Sequence, residues 1–225
     1  MKLLDALGNS GMVFLKKIRE ALWLPVVALF LFSAAANAYS APKTILVVGD
    51  SLSAEYGLAR GAGWVALLEQ KLQAQKIDAR IVNASVSGET TSGGRTRLPA
   101  LLSKHQPSIV VIELGANDGL RGLPVPAAEA NLRAMVKDAR GAGAQVLLVG
   151  MRMPPNYGRD YADKFFAMFG LLSKDVKAPL APFMLDGVAD KSELFQPDRL
   201  HPLAAAHPII LGNIWPHLQP LLKAK

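Results

Sequence analysis

The sequence predicts an α/β protein, a three-layer α/β/α domain built on a five-stranded parallel sheet. Three observations predict it. Runs such as Thr44-Ile45-Leu46-Val47-Val48 and Ser108 to Leu114 are continuously apolar or β-branched, which marks strands covered on both faces. Between them, apolar residues recur at i, i+3 and i+4, the spacing of helices packed on a sheet. No repeat, low-complexity segment or linker follows residue 42, and 225 residues suit one domain, or at most two.

In chain order, strand one is Thr44 to Gly49 and closes on Gly49-Asp50-Ser51-Leu52, ahead of a segment that reads as helix. Trp64, Leu67, Leu68 and Leu72 carry that helix. Strand two is Ala79 to Asn83. Leu98, Leu101 and Leu102 mark a second helix ending near His105-Gln106-Pro107, and strand three follows from Ser108 to Leu114. Leu132, Met135, Val136 and Ala139 mark a third helix that stops at Gly141-Ala142-Gly143, before strand four from Gln145 to Gly150. Phe165, Met168, Phe169, Leu172 and Val176 define the next. Strand five is read as Leu180 to Leu185, with Pro182 marking it as an edge. A last helical region runs from Pro202 to about Leu222, where Pro208, Gly212 and Pro216 should break or bend it. In strand order 2-1-3-4-5 the topological switch falls between strands one and three. Ligands gather at such a point, so Ser51 and Asn117 should flank one crevice.

The first 38 residues have the order of a secretory signal peptide. Lys16, Lys17 and Arg19 precede an apolar stretch from Ala21 to Phe32, and Ala36-Asn37-Ala38 offers a cleavage site. The apolar stretch is shorter than a spanning helix needs, and Pro25 interrupts it. Cleavage after Ala38 and export to the periplasm or beyond are expected, leaving residues 39–225 as one domain. Removing residues 1–38 takes away four Lys/Arg and two Asp/Glu, so the formal charge of +7 falls to +5. The excess forms no run of like charges and no nucleic-acid motif accompanies it. It suits transient contact with an anionic membrane surface, though a solvated basic face is the simpler reading. The absence of cysteine excludes disulfides, thiolate metal sites and thiol catalysis. Histidine spacing fits no metal site, no cofactor is expected, and the pattern suggests a monomer.

Ser51 is either a nucleophile delivered to the sheet rim or an N-cap of the following helix, whose amides could face an anion. A nucleophile needs a base, and His201 stands apart from His105, His207 and His217 because it lies in Asp198-Arg199-Leu200-His201-Pro202. A carboxylate three residues earlier can reach Nδ1, fix the tautomer and leave Nε2 free for the serine proton. Pro202 keeps His201 out of helical geometry and suits the first helical position, which puts His201 on a loop. Asp-x-x-His alone is more often a capping or surface pair. Asn117 in Gly115-Ala116-Asn117-Asp118 could donate a side-chain amide to an oxyanion, and Gly88 and Ser51 could donate backbone N–H groups. Otherwise Asn117 is a loop residue bonding its own backbone and Gly88 a turn residue with positive φ. Asp50 and Asp118, beside these residues, read as structural hydrogen-bonding groups.

Gly-Asp-Ser-Leu, Gly88, Gly-x-Asn-Asp and a C-terminal Asp-x-x-His occur here in that order. Together with Asn83–Thr90 (NASVSGET), Arg97–Pro107, Glu113–Gly122 (ELGANDGLRG), Pro154–Gly158 (PPNYG) and Asp198–Pro202 (DRLHP), they resemble the GDSL or SGNH hydrolases. The likeness spans residues 44 to about 220. It is greatest for the branch of periplasmic multifunctional thioesterases, proteases and lysophospholipases and their arylesterase kin. The resemblance implies a flavodoxin-like SGNH fold and a serine esterase acting on acyl esters, thioesters or lysophospholipids. It implies Ser51, Asp198 and His201 as catalytic residues and Ser51, Gly88 and Asn117 as the oxyanion hole. It further implies an acyl site touching Gly119, Leu120, Met153 and Pro154, with the loop Gly119 to Pro124 moving over the chain. Ala116 departs from the second glycine frequent in that branch. The rivals are a carbohydrate O-deacetylase using the same site and a flavodoxin-like binding protein without catalysis. The latter would leave Asp198 with His201 unexplained and lacks a phosphate-cradling loop at Ser51-Leu52-Ser53-Ala54.

Overall fold

The computed structural model describes residues 42–223; the targeting segment read in residues 1–38 lies outside the described residues. Eleven elements carry the architecture. They are β1 (Lys43–Gly49), α1 (Trp64–Ala74), β2 (Ala79–Asn83), α2 (Thr91–His105), β3 (Ile109–Glu113) and the short α3 (Ala116–Leu120). Then come α4 (Val125–Gly141), β4 (Gln145–Val149), α5 (Arg159–Val176), β5 (Leu180–Ala181) and α6 (His207–Lys223). The strands form one parallel sheet in the order β2-β1-β3-β4-β5. The α/β reading with its five parallel strands therefore holds. So does the switch point, since β1 and β3 run side by side with Gly49 paired to Glu113.

Burial explains why these runs became strands. Ile45 to Val48 and Ile109 to Ile112 are fully enclosed because helices cover both faces. One layer contains α1 and α6 packed together, and the other contains α2, α4 and α5. Helix α5 buries Phe165, Met168, Phe169 and Leu172 along a single stripe, and α4 buries Leu132, Met135, Val136 and Ala139 likewise. Among the described residues no helix is long and apolar enough to cross a membrane.

Four expectations are corrected. Strand β5 ends at Ala181, because Pro182 has no N–H to continue the ladder and the chain turns there. Pro202 begins no helix. It pairs with Phe195 in an antiparallel bridge, and the amides of Gln196 and Leu203 donate to the carbonyls of His201 and Leu194. The last helix is not broken at Gly212 or Pro216. Pro208 sits in its first turn, where an N–H has no partner anyway. Gly212, Pro216 and Pro220 lie four apart on its exposed side, where Pro216 and Pro220 offer no N–H to the carbonyls of Gly212 and Pro216. Ile210, Leu211, Ile214, Leu218 and Leu221 are buried on the other side, and at about 1.5–3 kcal/mol each they outweigh interior prolines. Finally, no helix follows Ser51 directly: α1 starts only at Trp64.

Candidate active site

The end of β1 is built around close approach. A Cβ on Gly49 would lie 2.7 Å from Glu113 Oε2 and 2.8 Å from Ser53 Oγ, so only glycine fits there. Beyond it the chain turns tightly, with the amides of Ser53 and Ala54 donating to the Asp50 carbonyl. Ser51 caps no helix. The cap of α1 is Gly63, which has no side chain to offer, and His207 Nδ1 accepts the Trp64 amide at 3.0 Å instead. The N-cap reading of Ser51 is thereby set aside.

The structure brings Ser51, His201 and Asp198 into one line. Asp198 Oδ1 accepts the amides of Leu200 at 2.9 Å and His201 at 3.0 Å, a local turn that aims Oδ2 at the ring, 2.7 Å from His201 Nδ1. His201 Nε2 lies 2.9 Å from Ser51 Oγ. Tyr56 packs against the imidazole with ring centroids 4.3 Å apart. Partial burial pushes the Asp198 carboxyl upward, but the His201 and Leu200 amides and the imidazole together draw it down to about 2. A carboxylate that stays ionised holds a proton on Nδ1 and leaves the Nε2 lone pair facing the hydroxyl. This line can move a proton off Ser51 Oγ.

Beneath the line lies a layer of buried acids that the sequence reading left as structural groups or passed over. Asp50 accepts the Leu52 amide on Oδ1 at 3.0 Å and the Asn117 side-chain amide on Oδ2 at 3.1 Å. Burial raises its carboxyl to about 6, against the pull of the Leu52 amide, the His201 ring and Asn117. Glu113, wholly enclosed at the end of β3, accepts the Ser53 hydroxyl at 2.6 Å, and Ser53 in turn accepts Trp64 Nε1–H at 3.1 Å. Burial, and then the neighbouring Asp50 charge, raise Glu113 well above the usual carboxylate range. Asp118 accepts both the amide and the hydroxyl of Thr91, at 2.8 and 2.6 Å, and so closes the N-terminus of α2.

The three expected oxyanion donors stand differently from one another. Asn117 is the second residue of α3, and its other amide hydrogen goes to the Glu89 carbonyl at 3.0 Å. Both its hydrogens are thus engaged, and an anion would have to draw one away. Gly88 is exposed at φ +78°, a backbone shape that favours glycine, and Arg121 donates to its carbonyl. Glu89 and Arg97 pair side by side, and Arg97 also donates to the Ala84 carbonyl, which fixes this loop. Ala116 starts α3 with its side chain buried, so the missing glycine removes no donor.

A crevice of about 860 Å³ opens beside Ser51 and His201. Leu120, Met153 and Pro154 line it, joined by Met151, Phe166 and Phe183. Gly88 and Gly119 are absent from its wall. Gly119 is buried under Met153, whose Sδ would meet a Cβ there at 2.3 Å. Phe166 and Phe183 escaped the sequence reading because a helix position and a loop position show no common pattern before folding.

A sequence profile of the GDSL-like lipase/acylhydrolase family matches residues 47–209. The chain belongs to that family. Esterase TesA of Pseudomonas aeruginosa is 49% identical over 183 residues, spanning 81% of this chain and 91% of the relative. A crystal structure of TesA superposes with a TM-score of 0.78, covering 80% of this chain and 99% of that one. Thioesterase 1/protease 1/lysophospholipase L1 of Escherichia coli K12 is 44% identical over 183 residues, 81% of this chain and 86% of the relative. The psychrotrophic esterase EstA of a Pseudoalteromonas species, solved with monoethylphosphonate inhibition, is 44% identical. Its TM-score is 0.77 over 81% of this chain and 100% of that one. This GDSL-family protein is an ester hydrolase with the SGNH-hydrolase fold.

Proposed function

We propose that this ester hydrolase cleaves acyl esters and thioesters through an acyl-enzyme on Ser51. The observation that carries the reading is the line from Ser51 Oγ through His201 to Asp198, set beside an apolar crevice. Ser51 Oγ bonds to the acyl carbon while its proton passes to His201 Nε2, and the carbonyl electron pair moves onto oxygen. The amides of Ser51 and Gly88 and one hydrogen released by Asn117 receive that oxyanion. The pair returns, the C–O or C–S bond breaks, and the alcohol or thiol leaves with the His201 proton. Water then repeats the sequence and frees the acid. Asp198 holds the ring and balances its charge throughout.

The apolar walls suit an alkyl chain better than an acetylated sugar, which favours the esterase reading over the O-deacetylase. The relatives named as esterase, thioesterase and lysophospholipase support the same small-molecule acyl substrates. Residues 1–38 serve as a signal peptide, residues 39–225 act as a single monomeric domain, and the site of action is the periplasm or beyond. Hydrolysis of p-nitrophenyl esters across chain lengths, with Ser51→Ala as control, tests the chemistry. Turnover that survives in Ser51→Ala overturns it. Sequencing the N-terminus of the exported protein tests the segment, with Tyr39 expected first.

A further inference from the structure

The catalytic line hangs between two loops, residues 50–63 after β1 and residues 192–203 ahead of α6. Among the described residues two side chains carry hydrogen bonds from one loop to the other. One is His201, through its contact with Ser51. The other is Gln196, whose Nε2 donates to the Tyr56 carbonyl at 2.9 Å and to the Pro202 carbonyl at 3.3 Å. The Gln196 amide also donates to the His201 carbonyl at 2.8 Å, so this residue grips the backbone on both sides of the gap. Gly57, at φ +70°, leaves room for the side chain, since a Cβ there would run into Gln196 Oε1. The Tyr56 amide in turn donates to the Ser51 carbonyl at 3.3 Å.

Tyr56 is 50% exposed, yet its ring sits against the His201 imidazole, centroids 4.3 Å apart and planes tilted by 37°. It does not line the crevice, so what it touches is the base and not the acyl chain. Hydrogen bonds at Nδ1 and Nε2 hold the imidazole along one line, and a packed ring holds it sideways. The bond to Ser51 lasts only until acylation. Once Oγ carries the acyl group it has no proton to donate, and the Nε2 lone pair loses that partner. Water must then be met by the same nitrogen. Its oxygen bonds to the acyl carbon as its proton passes to Nε2. The oxyanion pair returns, the Oγ–acyl bond breaks, and Oγ takes the proton back. Of the ring contacts described, those with Asp198 and Tyr56 survive through this half of the reaction.

We propose that Tyr56 and Gln196 are positioning residues for deacylation, a clasp that keeps His201 aimed while Ser51 is acylated. Tyr56 backs the imidazole, and Gln196 fixes Tyr56 and the His201 loop to each other. The kinetic consequence, though not the clasp, rests on the acyl-enzyme reading of Ser51.

Stopped-flow hydrolysis of p-nitrophenyl butyrate by the full chain tests this in wild type, Tyr56→Ala, Tyr56→Phe and Gln196→Met. Tyr56→Ala should lower kcat about 10- to 100-fold while kcat/KM falls only severalfold, so that KM drops. A burst of about one p-nitrophenol per site should precede its slow phase. Tyr56→Phe, which keeps the ring, should restore both parameters. Gln196→Met keeps the length without the N–H and should show the same split, with kcat down about tenfold. Combined with Tyr56→Ala it should add less than its own factor. Unchanged kcat in Tyr56→Ala overturns the proposal, as does an equal fall in kcat and kcat/KM. Ser51→Ala lacks the Oγ proton, as the acyl-enzyme does, and reads the clasp without turnover. In NMR the Overhauser contact between the Tyr56 and His201 rings should persist in Ser51→Ala and fade in Ser51→Ala/Gln196→Met. Its loss in Ser51→Ala alone overturns the proposal too. Turnover that does not depend on Ser51 would instead strike the acyl-enzyme reading, and the Overhauser contact would still decide the clasp.

Discussion

Two polar regions meet at the end of β1 and are built in opposite ways. The Ser51–His201–Asp198 line is half exposed, lies on loops, and is aimed by a turn four residues long. The acid layer below it is enclosed, comes from the residue after β1, from β3 and from α3, and is aimed by residues up to 67 positions apart. In the first, hydrogen bonds draw a carboxyl down to about 2; in the second, burial lifts Asp50 to about 6. The contrast teaches a division of labour. The outer line is placed to carry the proton transfers of the proposed mechanism, and the inner layer ties together the strand ends from which the outer line hangs. The same contrast separates two histidines six residues apart. His201 faces Ser51, and buried His207, its charge disfavoured by burial, caps α1.

The sharpest break of this comparison is Ser51→Ala. It should lower kcat by at least about 10⁴-fold, while the melting temperature stays within experimental scatter. Single-turnover ester hydrolysis beside a thermal melt checks both halves. If the inner layer is structural, Asp118→Ala must show the reverse balance. It strands the buried Thr91 amide and hydroxyl and should destabilise by about 2–4 kcal/mol in urea unfolding.

Asp50 sharpens the comparison through pH. Its folded carboxyl titrates near 6 and its unfolded one near 3.8. Between those values the folded state binds the extra proton, so this group's contribution falls as pH rises from about 4 to 6. Asp50→Asn should abolish that decline, seen as a flatter difference in urea midpoint between pH 4 and 7. His207 works with the opposite sign. Its folded pKa is lowered, so its contribution is complete above the unfolded value and fades as pH falls below it. His207→Ala should cost about 1 kcal/mol at pH 7.5 and less at pH 5, measured by the same unfolding. The smallest effect is expected at Arg199, a non-glycine residue at φ +57° in the outer loop. Arg199→Gly should stabilise the fold by about 0.5–1 kcal/mol, visible as a modest rise in melting temperature.

The sequence by itself determined the strand and helix succession, because burial on both faces writes itself as runs like Ile45–Val48 and Ile109–Ile112. It also isolated Asp198 with His201, since their contact is local, and it singled out Ser51, Gly88 and Asn117 as residue types able to serve one chemistry. Only the tertiary structure decided what depends on distant chains meeting. Glu113 reads in sequence as the end of a strand, and becomes an acceptor for Ser53 only when β3 lies beside β1. Asn117 reads as an oxyanion donor or a loop residue bonding its own backbone, and its amide proves to donate to Asp50 and Glu89 in two other loops. Pro216 reads as a helix breaker, and is tolerated because the opposite side of α6 is buried. In each case the deciding energy is desolvation or a hydrogen bond between residues far apart in sequence, which no local pattern encodes.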